Sequence, residues 1–244
     1  MEALQLCTYL GWDSEFFDCR IASLTASRLT PDTIARALTW CEARQIQCLY
    51  CLVDADDAMT VQLAEDHSFR FVDIRMTFET VLGRLPVVPS ATGTVRIRAA
   101  TEDDVPALRA IARVSHRDSR FYYDGHFPKS RCDALYETWI EKSCRGDADA
   151  VLVAEIEGCA AGYLSCQRLD AAVGRLGLGG VAVDFRRRGV ARALVDAALR
   201  WFAGHGASRV LVVTQGRNVD AQRLYQRAGF LSQSVQLWYH RWFA

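Results

Sequence analysis

The segment best suited to chemistry combines a strand, an arginine run and a helix start within residues 179–194. An apolar strand is predicted to end at Val183, arginines follow at Arg186–Arg188, and Gly189–Ala191 open a helix. The first turn of a helix has free backbone N–H groups and a partial positive charge, which attract anions. Small residues let a ligand approach the backbone closely, and guanidinium groups pair with phosphates. These residues therefore predict a diphosphate site.

The arginine run can also be interpreted as a solvated helix start without a ligand. Cations near a helix N-terminus oppose its dipole at a cost of about 0.3–1 kcal/mol each, so a run of them favours a bound anion. Two common nucleotide-binding motifs are excluded. The sequence has no P-loop pattern, and the glycine pattern at Gly177–Ala182 lies in or before a strand rather than between a strand and a helix.

Two segments together resemble the GNAT superfamily of N-acetyltransferases. The first is the arrangement just described, at Val181–Ala191. The second is Asn218–Phe230, in which Asn218, Tyr225 and Gly229 stand at the spacing of the superfamily. The resemblance implies the GNAT fold: an α/β (α+β) chain with a mixed, mostly antiparallel sheet and helices on both faces. A smaller N-terminal α/β domain would be added to it.

The resemblance also implies how an acetyl-CoA cosubstrate binds and reacts. The backbone at Val181–Val183 would pair with the pantetheine arm as an added strand, and Arg186–Ala191 would hold the pyrophosphate. Asn218, otherwise a simple helix cap, would contact the pantetheine. Tyr225, otherwise a core tyrosine, would donate a proton to the departing thiolate, a role typically worth about 10²–10⁴-fold in rate. The residues implied to bind acetyl-CoA are Val181, Ala182, Val183, Arg186, Arg187, Arg188, Gly189, Val190, Ala191, Asn218, Ala221 and Leu224.

Further stretches resemble, more narrowly, the TDP-fucosamine acetyltransferase family. They are Trp12–Phe17, Phe69–Asp73 and a segment that runs from Ser119–Phe121 through Trp139–Ile140. That family acetylates the amine of a nucleotide-linked amino sugar, so the resemblance implies a primary amine of a TDP-linked amino sugar as the acceptor. The chain departs from the family at Leu224, where the family has an arginine, and contacts to coenzyme A are expected to differ there.

The aromatic and charged stretch Ser119–Pro128 is the predicted wall of the acceptor site. Aromatic rings can face a sugar or a thymine base, and cationic groups can pair with phosphate or carboxylate. The alternative is that these aromatic side chains pack a long loop onto the core. His116 and His126 are candidate bases, although the family often uses an ordered water to deprotonate the amine. The predicted acceptor contacts are Arg120, Phe121, Tyr123 and His126.

Composition limits the classes of function. The chain of 244 residues has 29 basic and 29 acidic side chains, so it lacks the basic excess of a nucleic-acid-binding protein. No apolar stretch is long enough for a membrane span and residues 1–10 do not resemble a secretory signal, which predicts a cytoplasmic protein. Cys48 and Cys51 lie in an apolar run, so we expect buried thiols there and no metal.

The order of predicted elements favours two parts. Residues 1–82 are predicted to form the N-terminal α/β domain and residues 94–244 the acetyltransferase domain, with a linker at residues 83–93. Arg117–Pro128 is predicted to be a loop. Helices are predicted at Pro31–Gln45, Asp57–Asp66, Thr101–Ser115, Arg131–Cys144, Gly189–Ala203 and Val219–Ala228, and strands at Gln47–Val53, Phe69–Glu79, Val95–Arg98, Ala150–Ile156, Ala160–Gln167, Gly174–Val183, Arg209–Val213 and Ser232–His240.

Two other functions and the assembly state stay open at this point. The chain is alternatively a non-catalytic acyl-CoA sensor, against which Tyr225 and Asn218 argue, or an acetyltransferase for a protein N-terminus or an antibiotic. The alternating last strand, Ser232–His240, is a candidate for strand pairing in a homodimer.

Overall fold

The computed structural model of the chain describes residues 6–84 and 95–243. Within them the chain forms ten strands and eight helices. The strands are β1 Cys7–Tyr9, β2 Ile21–Leu24, β3 Cys48–Asp54, β4 Arg70–Val81, β5 Arg96–Ala99, β6 Ala150–Ile156, β7 Cys159–Arg168, β8 Val173–Val181, β9 Arg209–Gln215 and β10 Leu231–Trp242. The helices are α1 Gly11–Phe17, α2 Pro31–Ala43, α3 Ala58–Asp66, α4 Val105–Ser115, α5 Arg120–Asp124, α6 Lys129–Lys142, α7 Val190–Gly204 and α8 Val219–Arg227.

Each predicted strand is a strand in the structure and each predicted helix is a helix, with small shifts of their ends. The structure also contains four short elements that were not predicted. The elements β1, α1 and β2 at the N-terminus were not predicted. The prediction of a continuous loop at Arg117–Pro128 was wrong, because this stretch contains α5. Gly125 ends α5 with a left-handed φ of 87°. A helix of five residues is too short to show a helical period in the sequence.

All ten strands lie in one sheet, in the order β1-β2-β3-β10-β4-β9-β8-β7-β6-β5. Neighbouring strands are antiparallel except for the parallel pairs β2/β3 and β8/β9. The predicted mixed, mostly antiparallel sheet is therefore confirmed. The turn Glu157–Gly158, with φ values of 51° and 78°, joins β6 to β7 as the predicted hairpin.

The two predicted parts of the chain share this sheet, because β10 lies between β3 and β4. Most of the predicted linker at residues 83–93 falls outside the described residues, and the boundary stays a prediction. The expectation that Ser232–His240 is free to pair across a homodimer was wrong for Gln236–His240. Those residues already have β3 on one side and β4 on the other.

Helices cover both faces of the sheet. On one face α7 and α8 pack over β5–β9, and α2 and α3 pack over β2 and β3. On the other face α1, α4, α5 and α6 pack over β3, β6, β7 and part of β10. Cys48 and Cys51 are buried on opposite faces of β3, so they fill the core and do not form a pair. In the part of the chain that is described, no helix is long and apolar enough to cross a bilayer.

The parallel strands β8 and β9 separate partway along their length. They pair only where Val173–Leu176 faces Arg209–Val212, whereas β8 stays paired with β7 as far as Val181. A bulge in β8 marks the separation: two residues stand opposite Ser165, and the Leu178 N–H donates to its hydroxyl at 2.8 Å. Beyond it an open slot lies between the carboxyl ends of β8 and β9. The first turns of α7 and α8 follow those two ends.

Candidate active site

The loop between β8 and α7 begins with a tight turn at Val183–Phe185. The Phe185 N–H donates to the Ala182 carbonyl at 2.9 Å and the Arg186 N–H to the Val183 carbonyl at 3.3 Å. The prediction that the strand continues to Val183 was therefore wrong: β8 ends at Val181, and Val183 is 60% exposed. The edge of β8 that faces the slot ends at Val181.

The start of α7 has the features of an anion site. Gly189 stands at the N-cap with a φ of 80° and has no side-chain oxygen to cap the helix. The N–H groups of Val190 and Ala191 have no acceptor among the described residues. A Cβ placed on Gly189 would have no atom within 4 Å, so the space above the turn is open. Free amides at a helix start can receive an anionic group, which is the feature expected of the predicted pyrophosphate site.

The three arginines of the loop are exposed and surround this helix start. The Arg186 Nε donates to the Val181 carbonyl at 3.3 Å. The Arg188 guanidinium lies 5.5 Å from the centre of the Phe185 ring. Arg187 has a left-handed φ of 59°, which keeps the turn compact. In the described part of the chain none of the three forms an ion pair with a carboxylate, so their charge is available to an anion.

The second wall of the slot carries Asn218, three residues beyond the end of β9. Its side-chain oxygen accepts from the Ala221 N–H at 3.1 Å, which confirms the predicted helix cap. Leu224 packs against the core beneath α7 and α8. Asn218 and the start of α7 therefore follow the two strands that flank the slot, whereas Leu224 faces the core.

Tyr225 lies on α8, on the face of the sheet that α7 covers. Its ring packs against Phe78 and Phe230, with centroid distances of 6.4 and 5.8 Å. Burial raises the pKa of the Tyr225 hydroxyl to about 12. No described residue accepts a hydrogen bond from this hydroxyl. A neutral phenol without a protein partner can donate a proton to a leaving group.

On the opposite face, the first residue of α5 is held by aromatic rings and by β10. The Arg120 guanidinium lies 4.2 to 4.3 Å from the centres of the rings of Tyr50, Phe121 and Trp238. Its Nη1 donates to His240 Nε2 at 2.6 Å. Arg120, predicted to contact the acceptor, thus has several partners within the protein.

Behind Arg120 lies a buried hydrogen-bond network. Because His240 accepts from Arg120, its other nitrogen donates to the carboxylate of Asp124. Trp242 Nε1 and His126 Nδ1 also lie against this carboxylate, at 3.0 and 2.8 Å. Burial lowers the pKa of His240 to about 4. Burial opposes ionisation of Asp124, but the hydrogen bonds from His240, Trp242 and His126 lower the pKa of Asp124 below its ordinary value.

The other predicted acceptor residues have different surroundings. Phe121 is 3% exposed and stacks on Phe17 at 5.4 Å, which favours the alternative that it packs onto the core. His126 stacks on Trp242 at 4.5 Å. Tyr123 is 51% exposed, and the Arg217 guanidinium lies 3.6 Å from the centre of its ring. Tyr123 is the most exposed of these side chains.

A buried carboxylate near this end of α5 was not predicted from the sequence. Asp73 of β4 is 3% exposed and forms an ion pair with Arg217 at 3.4 Å. Burial raises the pKa of Asp73 to about 6, and the charge of Arg217 opposes this shift. An aspartate on the inner face of a central strand is the signal that could have identified it.

The candidate base His116 is engaged inside the protein. Its Nε2 lies 3.0 Å from the hydroxyl of Tyr163, and its ring stacks on Tyr136 at 4.4 Å. Burial lowers the pKa of His116 to about 4, so the ring is neutral at pH 7. No group of three metal-binding side chains occurs within residues 6–84 and 95–243.

Comparison with known families and proteins shows what the chain is similar to. A family model described as the acetyltransferase (GNAT) family matches residues 111–230. The chain is 27% identical over 238 residues to dTDP-fucosamine acetyltransferase from Escherichia coli, covering 95% of this chain and 96% of that protein. It is 29% identical to the spore coat polysaccharide biosynthesis protein SpsD from Bacillus subtilis, over 57% of this chain and 48% of that protein.

Solved structures share the fold at low identity. A conserved protein of unknown function from Staphylococcus epidermidis has a TM-score of 0.73 at 13% identity, covering 97% of this chain and 90% of that chain. A GCN5-related N-acetyltransferase from Sphaerobacter thermophilus has a TM-score of 0.68 at 16% identity, and the match covers 97% of this chain and 76% of that chain. Both span the N-terminal part as well as residues 111–230.

Proposed function

The chain belongs to the acetyltransferase (GNAT) family of acyl-CoA-dependent N-acetyltransferases, and on this premise we propose that it acetylates the primary amine of a TDP-linked amino sugar. The observation that supports this proposal is the slot between β8 and β9. The amides at Gly189–Ala191 border one side of the slot, and helix α8, which carries the Tyr225 hydroxyl, borders the other. The acceptor class is supported by the similarity to dTDP-fucosamine acetyltransferase along nearly the whole chain.

We propose direct transfer between the two substrates. The neutral amine attacks the thioester carbonyl from the face that carries α4, α5 and α6, and a backbone N–H on the slot edge of β8 stabilises the developing oxyanion. The new C–N bond forms as the C–S bond breaks. Tyr225 gives its proton to the sulfur and the amine proton leaves to water, so that the phenol is restored by solvent.

The test is an acetyl-transfer assay with a panel of acceptors. The purified protein is incubated with acetyl-CoA and, separately, a TDP-linked amino sugar, a peptide with a free N-terminus and an aminoglycoside. Released thiol and product mass are measured. We expect both signals with the TDP-linked sugar. Transfer to the peptide or the antibiotic alone would overturn the acceptor, and no thiol release with any acceptor would favour an acyl-CoA sensor.

A further inference from the structure

Part of the sheet on the acceptor side has no helix packed over it in the described structure. The side chains of Leu211, Val213 and Gln215 on β9 point to this side and are half-exposed. Leu211 and Val213 belong to none of the apolar clusters formed by the described residues, whereas Val210 and Val212 on the opposite side are fully buried. The slot between β8 and β9 opens onto this uncovered area.

Two arginines stand on the strands that flank β9 here. Arg75 of β4 lies opposite Gln215, and Arg175 of β8 lies opposite Leu211. Residues paired across neighbouring strands share a face, and so do residues four apart on one strand. Both guanidinium groups therefore lie on the uncovered face, on either side of Val213. Strand geometry places their Cα atoms roughly 16 Å apart. Each guanidinium group leans toward the strand on its far side from β9, so a ligand that lies over β9 engages both when they turn inward.

Neutral side chains hold both arginines in place. Arg75 Nη1 donates to the Gln236 side-chain oxygen at 3.0 Å. Arg175 donates from Nε and Nη2 to the Gln167 side-chain oxygen, at 3.0 and 2.6 Å. Amide oxygens orient a guanidinium group without cancelling its charge.

Neither arginine forms an ion pair within residues 6–84 and 95–243. Arg209 lies on the same face but, unlike these two arginines, it forms an ion pair, with Glu79 at 3.4 Å. Burial, and then the positive charge of Arg175, lowers the pKa of Arg75, so the two groups lie within electrostatic reach of each other. The carboxylate of Glu79 lies on the same face, across Leu211 from Arg175, but it is bonded to Arg209 and Gln233. Two half-buried like charges without a paired carboxylate are unfavourable, and a bound anion relieves this repulsion.

We propose that Arg75 and Arg175 bind the diphosphate of the acceptor, which rests on the function proposed above. A diphosphate offers separate anionic groups to two guanidinium groups, as a carboxylate does not. Bound there, a nucleotide-linked sugar lies on the uncovered face with the slot beside it, where its amine meets the thioester. This anion site is separate from the one at Gly189, because it lies on the sheet rather than at a helix start.

Binding of dTDP in the absence of acetyl-CoA tests the site directly. Isothermal titration calorimetry compares the wild type with Arg75→Gln, Arg175→Gln and the matched control Arg209→Gln. We expect each of the first two variants to weaken dTDP binding at least tenfold, and the control to change it less than twofold. Inorganic pyrophosphate is the second probe. If the protein recognises the diphosphate and not the base, the affinities of the wild type and the variants for pyrophosphate should fall in the same order as their affinities for dTDP. Unchanged affinity for coenzyme A shows that the variants are folded.

Two results would overturn the inference. One is wild-type affinity for dTDP in both Arg75→Gln and Arg175→Gln, and the other is no dTDP binding by the wild type. In the transfer assay, the variants should raise the KM for the TDP-linked sugar at least tenfold and leave kcat within about twofold. Acetyl transfer with an unchanged KM would reject the anion site but leave the proposed function intact. Absence of any transfer, with dTDP binding retained, would reject the function alone.

Discussion

At the scale of single residues, the surroundings of Tyr225 in the structure agree with its predicted role as proton donor to the thiolate. The spacing from Asn218 marks it within the family pattern. In the structure Tyr225 is half-buried, and its hydroxyl has no hydrogen-bond partner within residues 6–84 and 95–243. Its pKa is raised to about 12. A donor to a thiolate has to carry its proton before transfer, and a tyrosine does so at neutral pH with or without this shift. Burial beside Phe78 and Phe230 extends the protonated range to higher pH.

Replacing Tyr225 with phenylalanine tests this role. Tyr225→Phe keeps the ring contacts and removes only the hydroxyl, so we expect kcat to fall by about 10²–10⁴-fold. Affinity for acetyl-CoA, measured by calorimetry, should change less than about threefold, because the hydroxyl acts on the departing sulfur. A variant with wild-type turnover would show that another donor, or water, protonates the thiolate.

His116 predicts a pH dependence of stability. Its folded pKa is about 4, and an unfolded histidine titrates near 6.5, so the unfolded chain takes up the proton first as the pH falls. The free energy of unfolding should therefore drop between about pH 6.5 and 4, by at most about 3 kcal/mol from this residue. His116→Gln, which can still reach the Tyr163 hydroxyl, should flatten this slope in urea unfolding.

Part of the slope should persist in His116→Gln, because burial also lowers the pKa of His240. The control is His205→Gln, at an exposed position after α7, which should keep the wild-type slope. If His116→Gln has the same pH dependence as the wild type, the buried neutral imidazole of His116 is not the cause.

At the scale of elements, the start of α7 combines a backbone feature with a charge feature. The uncapped amides supply directional donors, and the arginines that precede them supply long-range attraction. The two contributions are separable, because only the second depends on side-chain charge.

Arg188→Glu reverses one of these charges next to the open amides. We expect the affinity for coenzyme A to fall several-fold, since a carboxylate there repels the pyrophosphate. Isothermal titration calorimetry at low salt measures the change, and added salt should reduce it. Arg200→Glu, on the exposed side of the same helix, is the matched control and should bind as the wild type does. Equal affinity in both variants would remove Arg188 from the cofactor site.

At the scale of the whole molecule, the N-terminal part completes the sheet. Both neighbours of β10, which are β3 and β4, come from residues before the undescribed segment. The same part contributes Asp73 and Arg75 to the face that we assign to the acceptor. If the proposed acceptor site is correct, the N-terminal part contributes to that site as well as to the sheet.

A fragment of residues 95–244 should not fold alone, because β10 would lose both neighbours and β9 would lose β4. We expect a collapsed ¹H–¹⁵N NMR spectrum and no binding of coenzyme A. Co-expression with residues 1–84 should restore both, which serves as the control. A well-dispersed spectrum from the fragment alone would show instead that the acetyltransferase part is an autonomous domain.

The sequence by itself determined the starts of α7 and α8, because the glycine, the arginine run and the Asn218 cap each act within one short segment. It also predicted most of the strands and helices, and it led to the prediction for Tyr225. Only the tertiary structure decided what depends on contacts between distant residues. Arg120 meets His240 across 120 positions of sequence, and this contact engages a side chain predicted for the acceptor. The pairing of β4, β9 and β8 likewise places Arg75 and Arg175 on one face of the sheet, because the register between strands is set by long-range hydrogen bonds and packing.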